Sequence, residues 1–78
     1  MQRVALYTTP NCAYCQKAKV FFKEHNIAFM EYDVAKDSVL RQEMLNRSGQ
    51  MTVPVIDIDG KIVVGFDRLK VKELLGLL

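Results

Sequence analysis

A chain of 78 residues and 8.9 kDa has room for one domain, taken as 1–78, and for a small core. Half of its residues are apolar and 26% are charged, the balance of a globular protein rather than a disordered one. A net charge of +2 is too weak to imply nucleic acid or a membrane surface as partner, and no apolar run approaches the roughly 18 residues of a membrane span. The apolar run Val4 to Leu6 stops short of Pro10 and does not read as a secretory signal, so a cytoplasmic, monomeric domain is the expectation.

Arg3 to Thr8 is rich in β-branched, apolar and aromatic residues and predicts a strand, ended by Thr9-Pro10-Asn11. From Ala13 to about His25 the apolar residues change period. Tyr14, Ala18 and Phe21 share a stripe, flanked by Cys15 and Phe22, while most lysines lie elsewhere, which predicts an amphipathic helix that Asn26 closes. Ile27 to Val34 predicts a second strand, so the first three elements make a right-handed parallel βαβ unit. Asp37 or Ser38 caps a second helix running to Arg47, with Leu40, Met44 and Leu45 inward and Gly49 as its stop. Val53 to Ile58 and Lys61 to Val64 form an antiparallel hairpin around Asp59-Gly60, a pair suited to positive φ. A last helix, capped by Asp67, places Val71, Leu74, Leu75 and Leu78 on one buried face. The order βαβαββα belongs to an α/β fold, a mixed four-stranded sheet with helices on both faces.

Cys12 and Cys15 are the only cysteines. A disulfide between them closes a ring too short to restrict the unfolded chain much, so the pair points to chemistry rather than stapling. At i and i+3, where strand gives way to helix, the two sulfurs share one side of a turn. Cys12 falls at the unpaired N–H groups of the helix start, where the nucleophilic thiolate is favoured over the thiol. Lys17 and Lys19 add positive charge nearby. A structural zinc needs four ligands, and the only histidine, His25, lies about 15 Å from Cys15 along the helix; only a metal site shared between chains survives that geometry. Buried cysteines are often inert, but Cys12 follows a Pro-Asn turn and is expected to be exposed. A C-x-x-C beside a βαβ unit is the pattern of a dithiol redox site.

The segments Tyr7-Thr8-Thr9-Pro10-Asn11-Cys12-Ala13-Tyr14-Cys15, Thr52-Val53-Pro54 and Gly65-Phe66-Asp67 make the chain resemble a glutaredoxin, more narrowly the short glutaredoxin-like redoxins of bacteria and archaea. The resemblance implies a thioredoxin-like fold in which Cys12 is the nucleophile and Cys15 resolves the mixed disulfide. It implies a cis Pro54 facing the cysteines, with the Val53 backbone pairing to the cysteinyl part of a bound thiol or peptide. Tyr14, Lys17, Thr52, Gly65, Phe66 and Asp67 complete the implied substrate- or glutathione-binding set. No metal or organic cofactor is required, and glutathione enters as a cosubstrate. Disulfide-containing proteins are the implied substrates, with glutathione or a thioredoxin-reductase-type flavoenzyme as electron donor.

Three positions depart from the glutathione-using members of that family. Ala13 stands where they have proline, Thr9 where many have lysine, and Val64-Gly65-Phe66-Asp67-Arg68 replaces a Gly-Gly-x-Asp-Asp segment. Gly65-Phe66 is similar instead to redoxins that serve ribonucleotide reductase and are recharged by thioredoxin reductase. The expected function is therefore thiol–disulfide oxidoreduction with a weakened glutathione site. The alternative is a dimeric module holding an iron–sulfur cluster through Cys12, with or without glutathione. His25 is expected to cap its helix or face solvent, and Met30, Met44 and Met51 to fill core gaps or lie on the surface. Lys70 and Lys72 are expected on a solvated face.

Overall fold

Alternation along β1 (Val4–Thr8) sets the layering of the molecule. Val4 and Leu6 are buried on one side of this strand and Tyr7 on the other, so both faces need cover. A computed structural model, which describes residues 2–77, shows how that cover is supplied. The following elements are α1 (Ala13–Glu24), β2 (Met30–Asp33), α2 (Ser38–Ser48), β3 (Val55–Ile58), β4 (Lys61–Val64) and α3 (Arg68–Leu75). The sheet order is β2-β1-β3-β4, with β1 parallel to β2 and the other two pairings antiparallel. Ala18, Phe21 and Phe22 of α1 and Val71 of α3 close over Val4, Leu6, Ile56, Ile58 and Val63. Met44 of α2 covers Tyr7, Val34 and Val55 on the opposite face. Each fully buried Val, Leu, Ile, Met or Phe side chain contributes about 1.5–3 kcal/mol, and eleven of them are buried among the described residues. Among the described residues no helix is long and apolar enough to cross a membrane.

Local signals account for the helix ends. The Asp37 carboxylate accepts from the N–H groups of Val39 and Leu40 at 2.9 and 3.2 Å, and Gly49 ends α2 at φ +73°. Asp67 caps α3 through the Lys70 N–H at 3.1 Å. Asp59 and Gly60 both take positive φ, 52° and 86°, in the turn between β3 and β4. On α3 only Val71 is fully buried, Leu74 and Leu75 being half-buried; Leu78 lies outside the described residues.

Two strands are shorter than their composition predicts. β2 begins at Met30, not Ile27, because the closure of α1 uses the preceding residues: Asn26 turns to φ 56° and the Ile27 N–H donates to the Phe22 carbonyl at 2.8 Å. Ile27 and Phe29 still pack on the core, but as loop residues. As an edge strand β2 has only β1 to pair with, from Ala5 opposite Met30 to Thr8 opposite Asp33. β3 begins at Val55, since Pro54 has no N–H for the ladder. The Val53–Pro54 peptide is cis.

A polar chain ties α2 to the sheet. The Tyr7 hydroxyl donates to Glu43 at 2.5 Å, and Arg47 bonds the buried Asp57 carboxylate while lying 3.7 Å from Glu43. Asp57 also accepts from the Gly60 N–H at 2.7 Å, so it anchors both the helix and the hairpin turn. Burial, then the hydrogen bond to Glu43 and that carboxylate's charge, hold the Tyr7 phenol far above its ordinary range. The unfolded phenol ionises near pH 10 while the folded one stays neutral, so its stabilising contribution is complete below about pH 10 and declines above it. Denaturant titrations of wild type and Tyr7→Phe from pH 8 to 11.5 are expected to show a steeper loss in wild type above about pH 10. Parallel curves would show that the phenol is not held neutral by the fold.

Candidate active site

Thr9-Pro10-Asn11 leads out of β1 and delivers Cys12 directly to the N-cap of α1. Its backbone is extended (φ −105°, ψ 113°), while its carbonyl already accepts from the Gln16 N–H at 3.2 Å. The sulfur does the work usually left to a serine or aspartate oxygen, accepting from the Cys15 N–H at 3.2 Å. Cys12 is half-buried rather than fully exposed as its turn position predicts, because the sulfur folds back over the helix end. Cys15, one turn on, is wholly buried. Burial pushes the Cys15 thiol above its ordinary range and the adjacent Cys12 adds to this, while the Thr8 hydroxyl and a Thr9 backbone hydrogen bond pull the other way. One sulfur is thus accessible and one is held back as a thiol.

Sheet register brings the other segments to this end of the molecule. Tyr7 pairs with Val55, so Pro54 lies opposite Thr8, immediately before the cysteine turn. Val55 in turn pairs with Val64, and the Gly65 N–H donates to the Pro54 carbonyl at 2.8 Å. Cys12, Cys15, Pro54 and Gly65, scattered over 54 positions of sequence, therefore lie toward one end of the sheet. Gly65 has φ +80°, which turns the chain so that Phe66 meets Phe21 of α1 edge-on at 5.7 Å.

The remaining expected site residues are placed less uniformly. Tyr14 is exposed on α1, with the Lys17 ammonium 4.9 Å from its ring centre. The Thr52 side chain is turned toward Gln50, its hydroxyl 3.3 Å from the Gln50 Oε1. Val53 is half-buried against the α2-side cluster. One carboxylate oxygen of Asp67 is occupied as the α3 cap. Lys19 does not contribute free positive charge to the cysteines, because its ammonium pairs with Glu31 on β2 at 2.5 Å. His25 is the C-cap of α1, its ring 2.9 Å from the Phe21 carbonyl through Nδ1. Thr8 is the residue that the motif reading overlooks. It is a buried polar side chain on the last position of β1, and a threonine closing an otherwise apolar strand just before a C-x-x-C is the signal that marks it. Among the described residues no three His, Cys, Asp or Glu side chains cluster as a metal site would need.

An accessible N-cap cysteine with a buried partner one turn later, beside a cis-proline strand start, defines a dithiol protein of the thioredoxin fold. The glutaredoxin family model matches residues 4–63, and the chain belongs to the glutaredoxin family. It is 43% identical over 72 residues to an uncharacterized glutaredoxin-like 8.6 kDa protein in the rubredoxin operon of Clostridium pasteurianum, covering 92% of this chain and 96% of that one. Glutaredoxin 3 of Escherichia coli K12 is 36% identical over 76 residues, 97% of this chain and 92% of the relative. A mutant of the thioredoxin-like protein BC3987 superposes with a TM-score of 0.92 at 35% identity over 100% of both chains. Iodoacetamide under native conditions is expected to label Cys12 at least about tenfold faster than Cys15, with both labelled in denaturant, as read by peptide mass mapping. Equal native labelling would contradict the burial of Cys15.

Proposed function

We propose that the chain is a thiol–disulfide oxidoreductase that reduces protein or glutathione-mixed disulfides through Cys12 and Cys15. The observation that carries this reading is the asymmetry of the pair, one sulfur capping α1 at the surface and the other wholly buried beneath it. The Cys12 thiolate attacks a substrate sulfur, the substrate S–S bond breaks, and its electron pair leaves on the second sulfur, which takes up a proton. Cys15 then gives up its proton and attacks the Cys12 sulfur, releasing the other substrate thiol and leaving a Cys12–Cys15 disulfide. The substrate gains two electrons and two protons, and an external dithiol or pair of thiols restores the oxidised protein. No metal or organic cofactor takes part.

The Cys12 sulfur is held where a helix start favours negative charge, which suits attack. The raised Cys15 thiol is poor as a first nucleophile but becomes effective by proximity once Cys12 carries the mixed disulfide. Cys15→Ser is expected to accumulate a mixed disulfide at Cys12, visible by intact mass, whereas Cys12→Ser traps none. Equal trapping by the two variants would reverse or merge the roles.

For the electron donor we favour a thioredoxin-reductase-type flavoenzyme over glutathione. Thr9 and Ala13 supply neither a charge nor a rigid turn, Asp67 already spends one oxygen on the α3 cap, and the Arg68 guanidinium sits 5.7 Å from the Phe21 ring centre. A cation at Arg68 repels the glutamyl amine that an aspartate would bind. Loss of one such charged contact costs about 1–3 kcal/mol, or roughly five- to 150-fold in affinity. Matched recycling assays are expected to run faster with the flavoenzyme than with glutathione, and Arg68→Asp to raise the glutathione rate. Faster glutathione turnover by wild type, with no gain in Arg68→Asp, would overturn this assignment.

A further inference from the structure

A groove of about 350 Å³ lies between α1 and the start of α3. Its floor is apolar, made by Val20, Phe21 and Phe66, and its rim carries Lys17, Arg68 and Glu24. Val20 is 54% exposed although it is a β-branched aliphatic residue on a helix whose inner face already has Ala18, Phe21 and Phe22 for the core. Lys17 and Arg68 are held only by aromatic faces, those of Tyr14 at 4.9 Å and Phe21 at 5.7 Å. Neither has a carboxylate within ion-pair distance among the described residues, in contrast to Lys19 and Arg47. The layer around the groove is basic as a whole. With Lys19 set aside as the partner of Glu31, Lys17, Lys23, Arg68, Lys70 and Lys72 lie on α1 and α3 against Glu24 and Glu73, an excess of three compared with the +2 of the entire chain.

The groove is also in line with the reactive sulfur. Gln16, at its near end, is one helical turn from Cys12 and bonds the Cys12 carbonyl. From Gln16 to Glu24 the helix advances about 12 Å at roughly 1.5 Å per residue. That is room for three to four residues of extended peptide at about 3.3 Å each, starting about 6 Å from Cys12.

We propose that this groove docks the substrate polypeptide next to its disulfide, taking an apolar side chain against Val20 and Phe66 and a carboxylate between Lys17 and Arg68. The anchors would stand about two to five residues from the substrate cysteine on one side of it. The proposal rests on the oxidoreductase reading above and adds a substrate class to it: disulfides flanked by an apolar and an acidic residue. A basic slot over aromatic rings selects such a segment by charge and apolar burial together, and each exposed charge contributes modestly.

The test uses the intact chain and short peptides whose single cysteine is disulfide-bonded to thionitrobenzoate, whose release is coloured. Peptides carry Leu-Glu, Leu-Gln, Leu-Lys or Ala-Glu three and four residues from the cysteine, in sets with the pair on its N- or C-terminal side. In one set the Leu-Glu peptide is expected to react about tenfold faster than Leu-Lys, the ratio shrinking in about 0.5 M salt. Arg68→Gln is expected to lose most of the Glu preference and Val20→Asp the Leu preference, both keeping the wild-type rate when pre-reduced protein meets hydroxyethyl disulfide in a single turnover with no glutathione present. Both positions are exposed, and circular dichroism checks the fold. Equal rates for all peptides overturn the groove and leave the oxidoreductase reading standing. A Glu preference undiminished in Arg68→Gln places recognition elsewhere and overturns it as well. Failure to reduce even hydroxyethyl disulfide removes the oxidoreductase reading, and the groove proposal with it.

Discussion

The hydrogen bond from the Cys15 N–H to the Cys12 sulfur organises the functional end of the molecule. A helix start needs an acceptor for its free N–H groups, and here the only side chain offered is a sulfur. That requirement points Cys12 back across the helix end and, one turn later, sends Cys15 into the core behind it. The two cysteines are chemically identical in sequence, and this single cap makes them unequal. Replacing Cys12 by a better capping residue would satisfy the helix but remove the nucleophile, so stability and chemistry compete at one atom.

The cap needs a fixed platform, and β1 supplies it. Antiparallel pairing to β3 holds the strand up to Tyr7 and parallel pairing to β2 up to Thr8, so the turn into Cys12 leaves from a rigid point. The same register carries Pro54 and Gly65 to that end without either touching the cysteines in sequence. At the other side of the sheet, Tyr7, Glu43, Arg47 and Asp57 lock α2 in place by hydrogen bonds rather than by a large apolar contact. With Met44 as the only fully buried residue of α2, such polar anchoring is how a small domain fixes a helix that its core cannot hold alone. This network lines a concavity of about 610 Å³, yet its groups are already satisfied by one another.

Where sequence patterns mislead, the cause is competition for backbone groups. Ile27-Ala28-Phe29 has strand-like composition, but the Ile27 N–H is taken by the end of α1 and β1 offers no partner before Ala5. Lys19 looks like one of a pair of cations beside the cysteines until Glu31, seven residues past the helix end, claims it. Thr8 sits inside the Tyr7-to-Cys15 segment without a role of its own there, and the burial that puts it among the groups acting on Cys15 is set by the fold.

The order of elements, the caps at Asp37 and Asp67, the turn at Asp59-Gly60 and the C-x-x-C at a strand–helix junction all follow from sequence. Each depends on residues within a few positions of one another, where local sterics and hydrogen bonding decide. The burial of Cys15, the meeting of Pro54 and Gly65 beside the cysteine turn, and the apolar slot between Val20 and Phe66 were decided by tertiary structure alone. These depend on which strands pair and in what register, and register is set by the packing of both sheet faces at once rather than by any local stretch of chain.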